Sequence, residues 1–192
     1  MTNVFFATPA RNTVELERFV LLDEVPGNGE TFFLRRAFDL LKAHDILGVV
    51  SFSDPQPRRT AHGDTVHLGH VGTIYQAFNG CYLGRGTART LRLLPDGRVF
   101  SDRAAQKIRA GERGWRYVAA QLEEFGAGLA PFDPDHRTQW LADALNQLTT
   151  RIRHRGNHKY AWALDKHMRK QLPESLPFPK ALDPLAAFQI AA

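Results

Sequence analysis

Three short stretches hold the side chains best suited to chemistry. The first, GHVGTIYQAFNGCYLGR (residues 69–85), gathers His70, Tyr75, Asn79 and Tyr82 among four glycines. Histidine and tyrosine carry protons to and from reacting groups. The spacing predicts a helix that starts near Gly72 and ends near Asn79–Gly80. Tyr75 and Asn79 then share one face, and Ile74 and Phe78 a more apolar one. The same pattern equally fits a tyrosine that merely packs against a core. The second stretch is the end of ILGVVSFSDP (46–55), where Ser51, Phe52, Ser53 and Asp54 close a buried strand. Open α/β sheets place their ligands at such strand ends, although Asp54 before Pro55 is also an ordinary way to begin a turn. The third is PGNGET (26–31), between an apolar run and a helix. Gly27 and Gly29 permit close backbone approach, Asn28 or Thr31 could cap the helix, and its free N–H groups favour an anion. It lacks the Lys-Ser/Thr of a P-loop and the third glycine of a dinucleotide fingerprint. Glu30 is an awkward neighbour for a phosphate, so a plain strand–helix turn is the alternative. Cys81, the single cysteine, has no activating partner beside it and reads as a small apolar residue.

The elements that must position these groups alternate in an α/β pattern. RFVLLDEV (18–25) reads as a buried strand, and FFLRRAFDLLKAH repeats Phe33, Ala37, Phe38 and Leu41 at helical period. ILGVVSFSDP reads as a second strand, parallel to the first through a right-handed crossover. Residues 55–69 read as a loop. RTLRLLPDGRVFS predicts a hairpin turning at Asp96–Gly97. Helices follow at 101–110 and 112–125, and a third in DPDHRTQWLADALNQLTTRI presents Trp140, Leu141, Leu145, Leu148 and Ile152 on one face. HKYAWAL (158–164) reads as a strand, and LPESLPFPK leads into a tail.

The 192 residues, 43% hydrophobic and 23% charged, are enough for a globular domain with a real core. No apolar run is long enough for a membrane span, the N-terminus lacks a signal-peptide pattern, and one cysteine excludes an internal disulfide or a cysteine-rich zinc cluster. These features point to a cytoplasmic protein. The net charge of +5 is uneven. Up to Asp54 eight acids outnumber five Lys/Arg, whereas nine Lys/Arg face three acids between Arg85 and Arg116, and eight face two between Arg151 and Lys180. Such asymmetry suits a polyanionic partner; a solvated basic surface is the plainer reading.

VLLDEVPGNGETFFL, GVVSFSDP, GHVGTIYQAFNGCYLGRG and RGNHKYAWAL occur in the order found in the Mom family of phage DNA-modification proteins, which the chain resembles from about Arg18 to Lys180. That resemblance implies a Gcn5-related N-acetyltransferase-like α/β fold: one domain over 1–192, a mixed sheet flanked by helices, and a loose tail at 181–192. It implies acetyl-CoA as cofactor, with its pyrophosphate against Gly27, Asn28, Gly29, Glu30 and Thr31, where acetyltransferases usually carry a more arginine-rich turn. It implies double-stranded DNA as partner and conversion of adenine N6 to a methylcarbamoyl adduct. Asp54, Tyr75, Ser53 and His70 become the catalytic candidates. Iron has been linked to the family, and His70 and Asp54, with Tyr75, are the candidate ligands. Arg85, Arg89, Arg103, Lys107, Arg109 and Lys159 become candidate DNA contacts. The adenine amine is a poor nucleophile, because its lone pair is delocalised into the ring, so it needs positioning and charge stabilisation. Duplex adenine must also leave the stack, and Phe52, Tyr82, Tyr160 and Trp162 could wall the extruded base. Two other classes compete. An ordinary acetyltransferase acting on a small-molecule or protein amine would bind DNA weakly and without salt dependence. A non-catalytic DNA-binding protein would tolerate loss of Asp54 and Tyr75.

Overall fold

The computed structural model describes residues 12–187 except Arg18 and Asp23. The N-terminal segment read for targeting signals, up to residue 11, and residues 188–192 of the expected tail lie outside the described residues. In chain order the elements are β1 (Thr13–Leu16), α1 (Gly29–Ala43), β2 (Gly48–Ser53), β3 (Arg58–Arg59), β4 (Thr65–His67), α2 (Thr73–Ala77), β5 (Cys81–Arg85), β6 (Arg89–Leu93), β7 (Val99–Phe100), α3 (Asp102–Ala110), α4 (Trp115–Glu123), α5 (Pro134–Leu148), β8 (Thr150–His154), β9 (His158–Ala163), α6 (Lys166–Arg169) and β10 (Ala186–Ala187). Backbone contacts divide them into two compact units, one of Met1–Pro55, Gly69–Thr87 and Arg155–Leu182, the other of Gln56–Leu68, Ala88–His154 and Asp183–Ala192.

The first unit is built on a mixed sheet ordered β1-β2-β9-β5. β1 runs parallel to β2, and β9 is antiparallel to both β2 and β5. The register sets Val49, Ser51 and Ser53 opposite Trp162, Tyr160 and His158, and Tyr82 opposite Tyr160. Because side chains alternate between faces, these residues share one face of the sheet. That face packs under α1 and α2 through Leu34, Phe38, Tyr75 and Trp162. Each such fully buried apolar side chain is worth about 1.5–3 kcal/mol. Val50 and Ala161 point to the other face and meet Met168 of α6. The result is an α/β sheet with helices on both sides.

The sequence reading of residues 18–25 as the first strand is corrected here. The strand is Thr13–Leu16, and the apolar run that follows it leaves Val20 and Leu22 at 77% and 74% exposure. The parallel pair linked through α1 exists, but its first member lies earlier in the chain. α2 falls within the expected helix, and CYLGR, beyond its expected end at Asn79–Gly80, forms the edge strand β5.

The second unit packs α3, α4 and α5 around Leu94, Phe100, Ile108, Leu122, Leu141 and Leu145. The Ser101 hydroxyl caps α3 by accepting the Ala104 N–H, and the Asp133 carboxylate caps α5 by accepting the His136 N–H, each at 3.0 Å. The hairpin of β6 and β7 forms as its Asp-Gly turn predicts, with β8 on the other side of β6. α5 stops at Leu148, before the β-branched Thr149 and Thr150, so Ile152 lies in β8 rather than on a helix face. The expected loop at 55–69 contains the short pair β3–β4, and β10 of the expected tail joins β3 in parallel.

Candidate active site

The C-terminal end of β2 brings three of the predicted residues together. Ser53 is fully buried, and its hydroxyl has no hydrogen-bond partner among the described residues, whereas Ser51 gives its hydroxyl proton to the Leu16 carbonyl at 2.7 Å. An unsatisfied buried hydroxyl costs about 1–3 kcal/mol, which is unusual unless a function retains it. The next residue, Asp54, accepts the His70 backbone N–H on its carbonyl at 2.8 Å. That bond ties the strand end to the loop entering α2. His70 is exposed, and its ring meets the buried Tyr75 ring edge-on at 6.2 Å. Tyr75 also contacts Tyr160 at 5.4 Å and Trp162 at 5.7 Å between centroids, yet its hydroxyl makes no hydrogen bond to a described residue.

The glycines of this segment make the packing possible. Gly72 has φ +75°, and a Cβ there would lie 2.7 Å from the Tyr160 ring and 2.8 Å from that of Tyr75. A Cβ at Gly80 would lie 2.8 Å from Trp162. The backbone thus runs directly against aromatic faces that any side chain would push away.

His158, which the sequence reading missed, completes the cluster. It is buried opposite Ser53, and its Nδ1 lies 2.7 Å from the Tyr82 hydroxyl, also buried. Burial raises the Tyr82 phenol above its ordinary range, with Arg85 pulling it partly back. Tyr82 is therefore protonated at neutral pH and donates to Nδ1 when the imidazole proton sits on the other nitrogen. Arg85, expected to contact DNA, is half-buried and sits opposite His158 beyond an irregularity in β5. Tyr160 is pushed up to about 12, chiefly by burial. Its hydroxyl donates to the Val71 carbonyl at 2.6 Å, and Gln76 Nε2 braces the same carbonyl at 3.1 Å. Gln76 was also unforeseen. No sequence signal marks His158, whose partner Tyr82 lies 76 positions away, or the contact of Gln76 Nε2 with the Tyr160 hydroxyl, 84 positions away.

Three of the four rings expected to wall an extruded base are core residues: Tyr82, Tyr160 and Trp162 are at most 7% exposed. Phe52 faces the opposite side of the sheet. His70, by contrast, is exposed.

Thr31 reaches a cleft of about 480 Å³ that it shares with Arg35, Phe38, Asp39, Phe78 and Asn79. Gly27 is open, with nothing near a would-be Cβ, whereas Gly29 lies against the Val25 side chain. Asn28 occupies the helix N-cap position without a side-chain cap, and Thr31 donates its hydroxyl to the Asn28 carbonyl at 3.1 Å. Glu30 is the acid of this first turn. β1 ends at Leu16, so among the described residues no strand feeds directly into this turn. The helix start thus has no side-chain cap from Asn28, and Arg35 lines the same cleft as Thr31. For a metal the donors fall short: no group of three His, Cys, Asp or Glu side chains forms among the described residues, although Asp54 and His70 are neighbours.

The Cys81 thiol is raised by burial and donates to the Pro173 carbonyl at 3.4 Å, a structural setting. Of the remaining expected DNA contacts, Lys159 lies on the opposite sheet face from His158 and Tyr160. Arg89 is exposed on β6, and Lys107 and Arg109 lie on α3. Arg103 grips both carboxylate oxygens of Glu112, at 2.7 and 2.5 Å.

Compared with known families, the chain matches the model of the Mom protein family over residues 2–180. No curated protein matches it.

Proposed function

The chain belongs to the Mom protein family, phage enzymes that modify adenine in DNA by acyl-transfer-type chemistry, and we propose that the Tyr–His face of its four-stranded sheet is where it converts adenine N6 to the methylcarbamoyl adduct. The observation that carries this reading is the buried cluster of Ser53, His158 and Tyr82 on the sheet face that also packs Tyr75: Tyr82 and His158 share a short contact, and the Ser53 hydroxyl has no hydrogen-bond partner among the described residues. Gly27, Asn28, Thr31 and Arg35 at the start of α1 would hold the phosphates of acetyl-CoA, which would supply the two carbons of the adduct; its amide nitrogen and the oxidation at the carbon joined to N6 require a nitrogen donor and an oxidant as further reactants. A Gcn5-related N-acetyltransferase-like fold is consistent with the mixed sheet flanked by helices.

Each residue then has a task. An adenine extruded from the duplex stacks on the exposed His70 ring and presents N6 toward Tyr75. The Tyr75 phenol holds or delivers a proton at the reacting group. His158 and Tyr82 pass the amine proton along their short contact, Arg85 offsets the charge that builds there, and Ser53 and Asp54 orient the incoming amine. Tyr160 and Gln76 position the Val71 segment and touch no reactant. Iron is assigned no step, because the side chains at Asp54 and His70 do not complete a ligand set.

The test uses purified protein, duplex DNA and acetyl-CoA labelled with ¹³C in the acetyl group, followed by mass spectrometry of the nucleosides. Labelled carbon in a modified deoxyadenosine is the expected result. Modified deoxyadenosine without label overturns the acyl source, and label found only on protein or a small amine favours an ordinary acetyltransferase.

A further inference from the structure

β6 and β8 of the second unit place like charges directly against each other. Arg92 and Arg151 are cross-strand partners, and Thr90 and Arg153 are the next pair on the same face. Like charges opposite one another destabilise a sheet. Arg92 is partly accounted for, since its guanidinium donates to the Leu145 carbonyl at 3.0 Å and to the Thr149 hydroxyl at 3.1 Å, near the carbonyl end of α5. Its pKa is lowered first by burial and next by Arg151; Asp102 opposes the shift, and Arg109 adds to the repulsion. Arg151 and Arg153 are exposed, and no ion pair among the described residues takes up either of them. Arg103, on α3 of the same unit, is by contrast neutralised by Glu112.

A chain does not gain stability from this arrangement, so an external anion is the natural compensation. Along a strand, alternate residues are about 6.6 Å apart and project to one side. Arg151 and Arg153 therefore form a short row of planar donors suited to bidentate phosphate contacts. We infer that the exposed Arg151–Arg153 edge of β8 is a track for the phosphate backbone of the duplex. The inference rests on the DNA-modifying function above and replaces α3 as the main phosphate-binding element.

The experiment measures duplex affinity across a salt series for the parent, for Arg151→Gln with Arg153→Gln, and for Arg151→Lys with Arg153→Lys. Glutamine keeps most of the stem and removes the charge. Two lost phosphate contacts should flatten the slope of log K against log salt by about 1.8, while the melting temperature holds or rises as the repulsion on Arg92 is relieved. The lysine variant should keep the parental slope, and so should Arg103→Ala. An unchanged slope in the glutamine variant overturns the inference. So does equal loss of binding to polyglutamate and duplex, which would mark an acidic protein partner. Nucleoside analysis separates the two levels: a parent that modifies adenine while the glutamine variant keeps its slope refutes only the track. A parent that binds through these arginines without modifying adenine refutes only the function.

Discussion

Replacing Tyr82 by Phe removes one oxygen from the interior and leaves the ring in place. The hydroxyl lies 2.7 Å from His158 Nδ1, and both residues are buried, at 7% and 4% exposure. The ring contact with Tyr160, 5.3 Å between centroids, survives the change. No cavity larger than a hydroxyl opens, so the cost is that of a buried imidazole nitrogen losing its partner. That penalty is about 1–3 kcal/mol, which for a chain of this size lowers the melting temperature by roughly 2–12 °C. The protein should remain folded at 25 °C. If the pair carries the amine proton, adenine modification should fall by about 100-fold or more, while duplex affinity stays parental. Calorimetry and nucleoside mass spectrometry on the same preparation read both effects. A variant with parental melting temperature would show that the hydrogen bond is not made. One that is destabilised yet modifies DNA at the parental rate would refute the relay and leave Tyr82 as a packing residue.

Gly72→Ala should cost about 2–6 kcal/mol, the sum of a left-handed alanine and overpacking against Tyr75 and Tyr160; a thermal melt within 1 °C of the parent would contradict this. In alkali, the unfolded chain loses its Tyr160 proton near pH 10, whereas the folded chain keeps it to about 12. Stability should therefore fall as pH rises from 10 to 12, by up to about 1.4 kcal/mol per pH unit. Tyr160→Phe should flatten that loss, and denaturant titrations across this range with identical slopes for both proteins would oppose the assignment. Acetyl-CoA should raise the melting temperature by linkage, and Thr31→Ala with Arg35→Ala should remove most of the rise; an undiminished shift places the cofactor elsewhere.

Much of this arrangement was legible in the sequence where one period dominates. The helical spacing of Phe38 and Leu41, the alternation in HKYAWAL and the Asp-Gly turn each led to elements the structure contains. The first strand was misplaced because VLL looks like a buried run, whereas TVEL, the true strand, is short and half polar. β5 was passed over because CYLGR is short and follows directly on the Asn79–Gly80 break. The site was legible in part. Ser53, Asp54, His70 and Tyr75 are brought near one another through the Asp54–His70 backbone bond. His158 was not legible, since its role depends on the β2–β9 and β5–β9 registers that set it beside Ser53 and Tyr82. The charge excess pointed correctly to a basic second half, but composition alone could not show that Glu112 already claims Arg103.

The central claim is that Tyr75 carries chemistry rather than packing alone, and Tyr75→Phe tests it most directly. The ring keeps its contacts with His70, Tyr160 and Trp162, and its hydroxyl gives up no hydrogen bond to a described residue. Stability should therefore change by less than about 1 kcal/mol. The measurement is nucleoside mass spectrometry of DNA from cells expressing the parent or the variant at equal soluble levels. The account predicts abundant methylcarbamoyl-type deoxyadenosine with the parent and roughly 100-fold less with the variant. Equal adduct levels from the two proteins would contradict it.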